Sequence, residues 1–239
     1  MNKALCVAVA LCLTQEIAWA FDKQYPAYNA FLNDYVCNGG VAYKRIKAAL
    51  LDSVGRELSS LTPLEYNGFS ANDKIAYCIN VYNFYTIVLI MRHYPLKKGI
   101  RDIRDPWGQP CAPFLGTTVT LDHLEHDVLR KQFREPRVHC VLVCASKSCP
   151  ALLSRAFTGD KLDAQLRTAA RAFLSDTSKN LLKGNVFFLS QIFEWYGKDF
   201  AATPGGFAGF VSEVLGVRPG FSVRFIPYDW SLNEVDKCN

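Results

Sequence analysis

The feature that most constrains this chain is NDKIAYCINVYNFYTIVLIMRHY, residues 72–94, set between Ser70 and Pro95. Ile75, Ile79, Tyr82, Thr86 and Ile90 recur at steps of three or four, and Cys78, Tyr85 and Leu89 repeat the pattern on a second face. The spacing predicts one long helix, with Ser70 as N-cap, Asp73 in the first turn and Pro95 as the stop. A helix apolar nearly all round must be enclosed by the rest of the chain. Asn80 and Asn83 lie inside it, and an unpaired buried amide costs about 1–3 kcal/mol. Each therefore needs a partner, either neighbouring loop backbone or, at a catalytic site, a histidine to orient or an oxyanion to receive its N–H.

The other periodicities supply the wrapping. Helical patterns cover 21–35, 41–58, 121–133, 161–174 and 192–200, and strand patterns cover 117–120, 138–144, 186–189 and 223–229. Helices outnumber strands, and the strands are not adjacent in sequence, which points to a helix-rich α+β fold with a small central β-sheet. No repeat, low-complexity tract or linker divides residues 21–239, so a single globular domain is expected.

Ahead of that domain, Lys3 precedes an apolar run over 4–13, and Ala18-Trp19-Ala20 precedes Phe21. This is the order of a cleavable signal peptide, 1–20, cut after Ala20. The run is shorter than the roughly 20 residues a membrane span needs, so no stable membrane anchor is expected. Leu11 ahead of Cys12 argues against lipoprotein processing. A periplasmic or secreted protein follows, and in that setting cysteines carry weight. The chain has nine. Setting aside Cys6 and Cys12 of the leader leaves an odd set, so in an oxidising compartment at least one thiol stays free or pairs between molecules. The net charge of +5 comes with no basic tract or stacking platform, which argues against a nucleic-acid partner.

Three of those cysteines fall in HCVLVCASKSCPAL, residues 139–152. On a strand, Cys140, Leu142 and Cys144 would share one face and His139 the other, turning His139 and Cys144 apart. Cys149 lies beyond the strand beside Lys147 and ahead of Pro150, a favoured first residue of a helix. A thiol at a helix N-terminus in positive potential has a lowered pKa and serves as a nucleophile. A Cys144–Cys149 disulfide clamping the turn is the competing reading, and Cys140 reads as a small buried hydrophobe. A zinc site with His139 lacks the C-x-x-C spacing, and no metal or cofactor is expected.

In LDHLEHDVLR, residues 121–130, His123 and His126 stand three apart on a helix, where they could hold a metal or act singly as a general base. A lone H-x-x-H is a weak metal signal. In FEWYGKDF, residues 193–200, Trp195 and Tyr196 beside Asp199 either wall a pocket or pack on the core.

IAYCINVYNFYTI, LDHLEHDVLRKQF, PRVHCVLVCASKSCPALL, FLSQIFEWYGKDF and YDWSLN, in that order, resemble the blocks of the bacterial family called domain of unknown function 547, also found at the C-terminus of some plant proteins. The resemblance runs over about 64–233. It falls on Asn80, Tyr82, Asn83, Glu125, His126, Arg130, Arg137, His139, Ser148, Cys149, Pro150, Trp195, Tyr196 and Asp199. His123 does not match, which favours His126 over a histidine pair.

The expected function is a cysteine-dependent hydrolase or transferase acting on an amide, peptide or ester. Cys149 would be the nucleophile, His126 or His139 the base, and Asn83, Glu125 or Asp199 the orienting group. Asn80, Tyr82, Arg130, Ser148, Trp195 and Tyr196 would contact a peptide or small-molecule substrate. Such a Cys and His from distant segments is similar by analogy to papain-like hydrolases, although His126 precedes Cys149, opposite to the papain order. The alternative is a non-catalytic ligand-binding or scaffold domain with structural cysteines.

Overall fold

The computed structural model describes residues 20–218 and 220–238, and the expected leader lies outside them but for Ala20. Pro26 opens α1 (Pro26–Tyr35), and a Gly39 turn joins the antiparallel pair β1 (Val36–Cys37) and β2 (Gly40–Val41). The helix expected over 41–58 starts late, at α2 (Ala48–Ser59), because β2 pairing and a 3₁₀ turn at Tyr43–Arg45 take up its first residues. A capping box between Thr62 and Glu65 starts the short α3 (Pro63–Asn67), which periodicity had not revealed.

The long helix forms as expected: α4 (Ala71–His93), with the Asp73 N–H donating to Ser70 Oγ at 3.1 Å. Residues 75–87 are buried without a break, and the main hydrophobic cluster assembles around them. By length and hydropathy α4 could cross a membrane, yet 83% of its most apolar window is covered by this chain's own elements.

Both buried asparagines pair with loop backbone. Asn80 Nδ2 donates to Phe157 O (2.8 Å) while its Oδ1 accepts from Phe157 N–H (2.9 Å). Asn83 Nδ2 donates to Val141 O (3.0 Å) and its Oδ1 accepts from Val143 N–H (2.9 Å). Each amide satisfies one donor and one acceptor, as a neighbouring strand would. This corrects the expected strand over 138–144: Pro136–Cys140 form a 3₁₀ turn, and the residues after it run irregularly along α4, held by Asn83.

Strands β3 (Ala112–Phe114) and β4 (Thr117–Val119) form a hairpin ahead of the helix His123–Phe133. That helix is π-wound, so its turns are wider than an α-helix's and residues three apart no longer share a face. Next comes α5 (Leu162–Ser175), followed by β5 (Leu181–Lys183) and β6 (Val186–Ser190). The expected helix over 192–200 is split into α6 (Ile192–Trp195) and α7 (Gly197–Ala201), then come α8 (Gly206–Leu215) and β7 (Ser222–Ile226). Strand β6 pairs antiparallel with β5 and parallel with β7.

The architecture is α+β. Its centre is helix α4 and not a sheet: among the described residues the strands form three small separate sheets. The largest, β5-β6-β7, packs with α5 and α8 on a second cluster that includes Cys140, Phe173, Phe187, Phe193 and Phe200.

Candidate active site: a dithiol in an aromatic cleft

The turn after Val143 is shaped from two sides. Ala145 takes a left-handed φ of 62°, a costly conformation for a residue with a Cβ. The segment after β7 straps the turn down: Lys147 N–H donates to Ser231 O (2.8 Å), Ser148 N–H to Asp229 O (3.2 Å) and Asn233 N–H to Ala145 O (2.9 Å). Gly99, at φ 84°, allows the chain to pass directly under the Trp230 carbonyl, where a Cβ would collide. The strap thereby carries Tyr228 and Trp230 to the turn.

No helix follows Pro150, so Cys149 is not at a helix N-terminus, which corrects the sequence expectation. The turn instead brings two sulfurs together: Cys144 Sγ and Cys149 Sγ are 2.8 Å apart, neither in a disulfide. Cys144 N–H donates to Cys149 Sγ (3.0 Å), the Tyr228 hydroxyl donates to Cys149 Sγ (3.1 Å) and lies 3.4 Å from Cys144 Sγ, and Ser146 Oγ lies 3.5 Å from Cys144 Sγ. Such a pair titrates as a unit. The first proton leaves Cys144, whose thiol is lowered to about 7, chiefly because Cys149 hydrogen-bonds the resulting thiolate. Burial and the neighbouring Cys144 charge then hold the Cys149 thiol well above the usual range. Cys144 is also the more exposed of the two.

Both sulfurs line a cleft of about 240 Å³, with His126, His139, Asp122 and Glu125 and with the rings of Tyr82, Trp107, Trp195, Tyr196, Tyr228 and Trp230. His139 stacks on Tyr196 with ring centroids 3.8 Å apart, and its Nε2 lies 2.8 Å from Asp199 Oδ2. A carboxylate only accepts, so Nε2 carries the proton and Nδ1 keeps the lone pair. Burial lowers the His139 pKa in spite of Asp199, leaving a neutral ring at neutral pH. Arg130 grips Asp199 twice, Nε to Oδ2 (2.6 Å) and Nη2 to Oδ1 (3.0 Å), and this charge-assisted pair holds the carboxyl below its ordinary value.

His126 is placed differently. Its Nδ1 lies 2.9 Å from Arg130 Nη1, and a guanidinium only donates, so the neutral ring's lone pair is already taken. His139 is thus the imidazole with a free basic nitrogen. Neither imidazole hydrogen-bonds a thiol among the described residues. Strand alternation separated His139 from Cys144, whereas the irregular path brings both to one cleft.

Of the residues expected to act in catalysis, Cys149, His126, His139 and Glu125 line the cleft. Asp199 stands behind His139 and lines a neighbouring cavity with Arg130. Asn83 is committed to backbone. Among expected substrate contacts, Tyr82, Trp195 and Tyr196 line the cleft, whereas Asn80 binds Phe157 and Ser148 Oγ accepts from Asp229 N–H (2.8 Å). His123 turns to Asp127 (3.2 Å), apart from His126. Sequence reasoning missed Asp122, Trp107, Tyr228, Trp230 and the role of Cys144. Tyr228 and Trp230 are two apart in an extended segment, a spacing that puts them on one side, and that was the available signal.

Neither a curated protein nor a solved structure matches the chain. Residues 66–174 match a family model. The matched span holds α4, the π-helix and the cysteine turn, and stops short of the strap and of Trp195, Tyr196 and Asp199. The model that residues 66–174 match is that of the family described as Protein of unknown function, DUF547.

Proposed function

We propose that this protein is an exported cysteine-dependent hydrolase or transferase acting on an amide, peptide or ester, with Cys144 as its nucleophile. The observation that carries this reading is the Cys144–Cys149 contact of 2.8 Å in an aromatic cleft beside the His139–Asp199 pair. The Cys144 thiolate attacks the carbonyl carbon and a C–S bond forms. As the tetrahedral intermediate collapses, the C–N or C–O bond breaks and the leaving group takes the Cys149 proton. A water or an acceptor nucleophile then gives its proton to His139 Nδ1, attacks the thioester, and releases Cys144. The proton passes back to Cys149 and restores the resting pair. Asp199 fixes the His139 ring and Arg130 fixes Asp199, so these two are positioning residues.

The test uses p-nitrophenyl acetate with the purified full-length mature protein. Acetylation mapped by mass spectrometry to Cys144, absent in Cys144→Ser and turned over about 10²-fold or more slowly in His139→Gln, is the expected result. An unchanged rate in Cys144→Ser overturns it.

The competing reading, a non-catalytic binding or scaffold domain, is favoured by one observation: among the described residues no imidazole hydrogen-bonds a thiol. Under it, Cys144 and Cys149 are quantitatively disulfide-bonded in protein recovered without reductant, and no acetyl adduct forms.

A further inference from the structure

We infer that the cleft accepts a positively charged nitrogen of its substrate, the ammonium of a lysine-like side chain or amine, held by the Glu125 carboxylate against indole rings. This names the substrate class of the site assigned above and rests on that assignment for its chemistry, though not for binding.

Glu125 is 5% exposed and lines the cleft. Its polar neighbours are the Tyr82 and Tyr196 hydroxyls, which are neutral. Among the described residues no lysine, arginine or histidine forms an ion pair with it. A buried carboxylate without a cation is costly, and a cation brought by a ligand relieves that cost. A second carboxylate, Asp122, lines the same cleft with His126 Nε2 3.7 Å away. Burial pushes Asp122 upward, with His126 opposing and the charges of Glu125 and Asp105 adding to the shift, so Asp122 feels the Glu125 charge across the cleft.

The chain's own arginines stand at the edge of the cleft without lining it, and Arg130, over the Tyr196 ring at 5.0 Å, feels the Glu125 charge from there. Arg130 is spent on Asp199 and lines the neighbouring cavity, and Arg101 lies over Trp230 at 5.5 Å without lining the cleft. Charge opposite to a cation is supplied within the cleft by the two carboxylates and the Cys144 thiolate, and the walls are rings that attract cations through their faces, tryptophan most strongly. Trp195, 45% exposed, stacks on Trp230 at 5.6 Å and 25°, presenting aromatic surface that no protein group covers. A volume of about 240 Å³ suits one side chain or a small amine and not a folded partner.

The test uses the full mature chain as Cys144→Ser, which removes thiol chemistry. Binding of N-acetyl-lysine methylamide and of its neutral isostere N-acetyl-norleucine methylamide is followed by tryptophan fluorescence and calorimetry. The lysine probe should bind about tenfold or more tightly, and Glu125→Gln should erase most of that preference. Trp195→Ala, at a partly exposed position and with the fold checked by its unfolding midpoint, should weaken the lysine probe several-fold. Equal binding of both probes, no binding of either, or a preference untouched in both variants overturns the inference. A clear preference without acetylation of Cys144 in the unmutated protein overturns the catalytic reading alone, and acetylation without preference overturns this one alone.

Discussion

At Cys144 two opposed effects meet, burial that disfavours a thiolate and hydrogen bonds that stabilise it, and the bonds win. The Cys149 thiol is the largest of these. Alkylation of Cys144 by iodoacetamide, followed by peptide mass mapping, should therefore rise with a midpoint near pH 7, and Cys149→Ala should move that midpoint upward toward the ordinary thiol range of about 8.5. An unmoved midpoint would show that Tyr228 and Ser146 suffice. The pair His139–Asp199 gives a second test. Burial depresses His139 and Arg130 depresses Asp199, so both groups favour the folded state at neutral pH and lose that advantage as pH falls. The His139 contribution disappears first, below its unfolded value of about 6.5, and the Asp199 contribution below about 3.9. Urea unfolding at pH 7 and pH 5.5 should show lower stability at pH 5.5, and His139→Gln should flatten that difference; an equal slope in both proteins would refute it. The sequence pointed to Cys149, whereas the proposed nucleophile is Cys144, the other sulfur of the same turn. Lys147 and Pro150 favoured Cys149 only on the premise of a following helix, and the premise of strand alternation hid that Cys144 and His139 line one cleft.

At the scale of elements, α4 was legible because its signals agree: cap, stop, and apolar residues at every helical angle. The apolar run at 138–144 was misread because β-branched residues report burial as readily as strand, and here Asn83 supplies the pairing that a sheet would. That substitution of a side chain for a strand is testable. Asn83→Leu keeps the volume near and leaves Val141 C=O and Val143 N–H unpaired in the core, a cost of roughly 2–4 kcal/mol in urea unfolding. The cysteine turn should also loosen, seen as Cys149 alkylation in native buffer, which the unmutated protein resists because that thiol is 2% exposed. A loss under 1 kcal/mol with Cys149 still protected would show that the 141–143 path does not depend on Asn83. The π-winding of His123–Phe133 carried no sequence signal we can name, and it is what parts His123 from His126 and leaves Arg130 next to His126.

Across the whole molecule, the site is closed by a segment far away in sequence. The strap that delivers Tyr228 and Trp230 continues through Asn233, whose Oδ1 accepts from the Tyr43 hydroxyl at 3.0 Å, and through Val235, whose N–H donates to Val41 O at 3.0 Å. It is then fastened covalently by a disulfide from Cys37 to Cys238, across a sequence separation of 201. No spacing rule could pair those two cysteines, since connectivity is not deducible from sequence. Nor could periodicity show that the expected central sheet is absent, because strand signals carry no information on whether strands join one sheet or three. Closing so long a loop restricts the unfolded chain strongly, so Cys37→Ser with Cys238→Ser should cost about 2–5 kcal/mol. The location of the effect is the sharper test. The strap holds Tyr228 against both sulfurs, and fraying it withdraws one of the hydrogen bonds that favour the Cys144 thiolate. The double variant should therefore raise the Cys144 alkylation midpoint as well as lower the unfolding midpoint, and Tyr228→Phe should reproduce the first change with much less of the second. If the double variant unfolds earlier while Cys144 titrates as before, the disulfide stabilises the fold without reaching the site, and the strap is held at the cysteine turn by its own backbone bonds to residues 145–148.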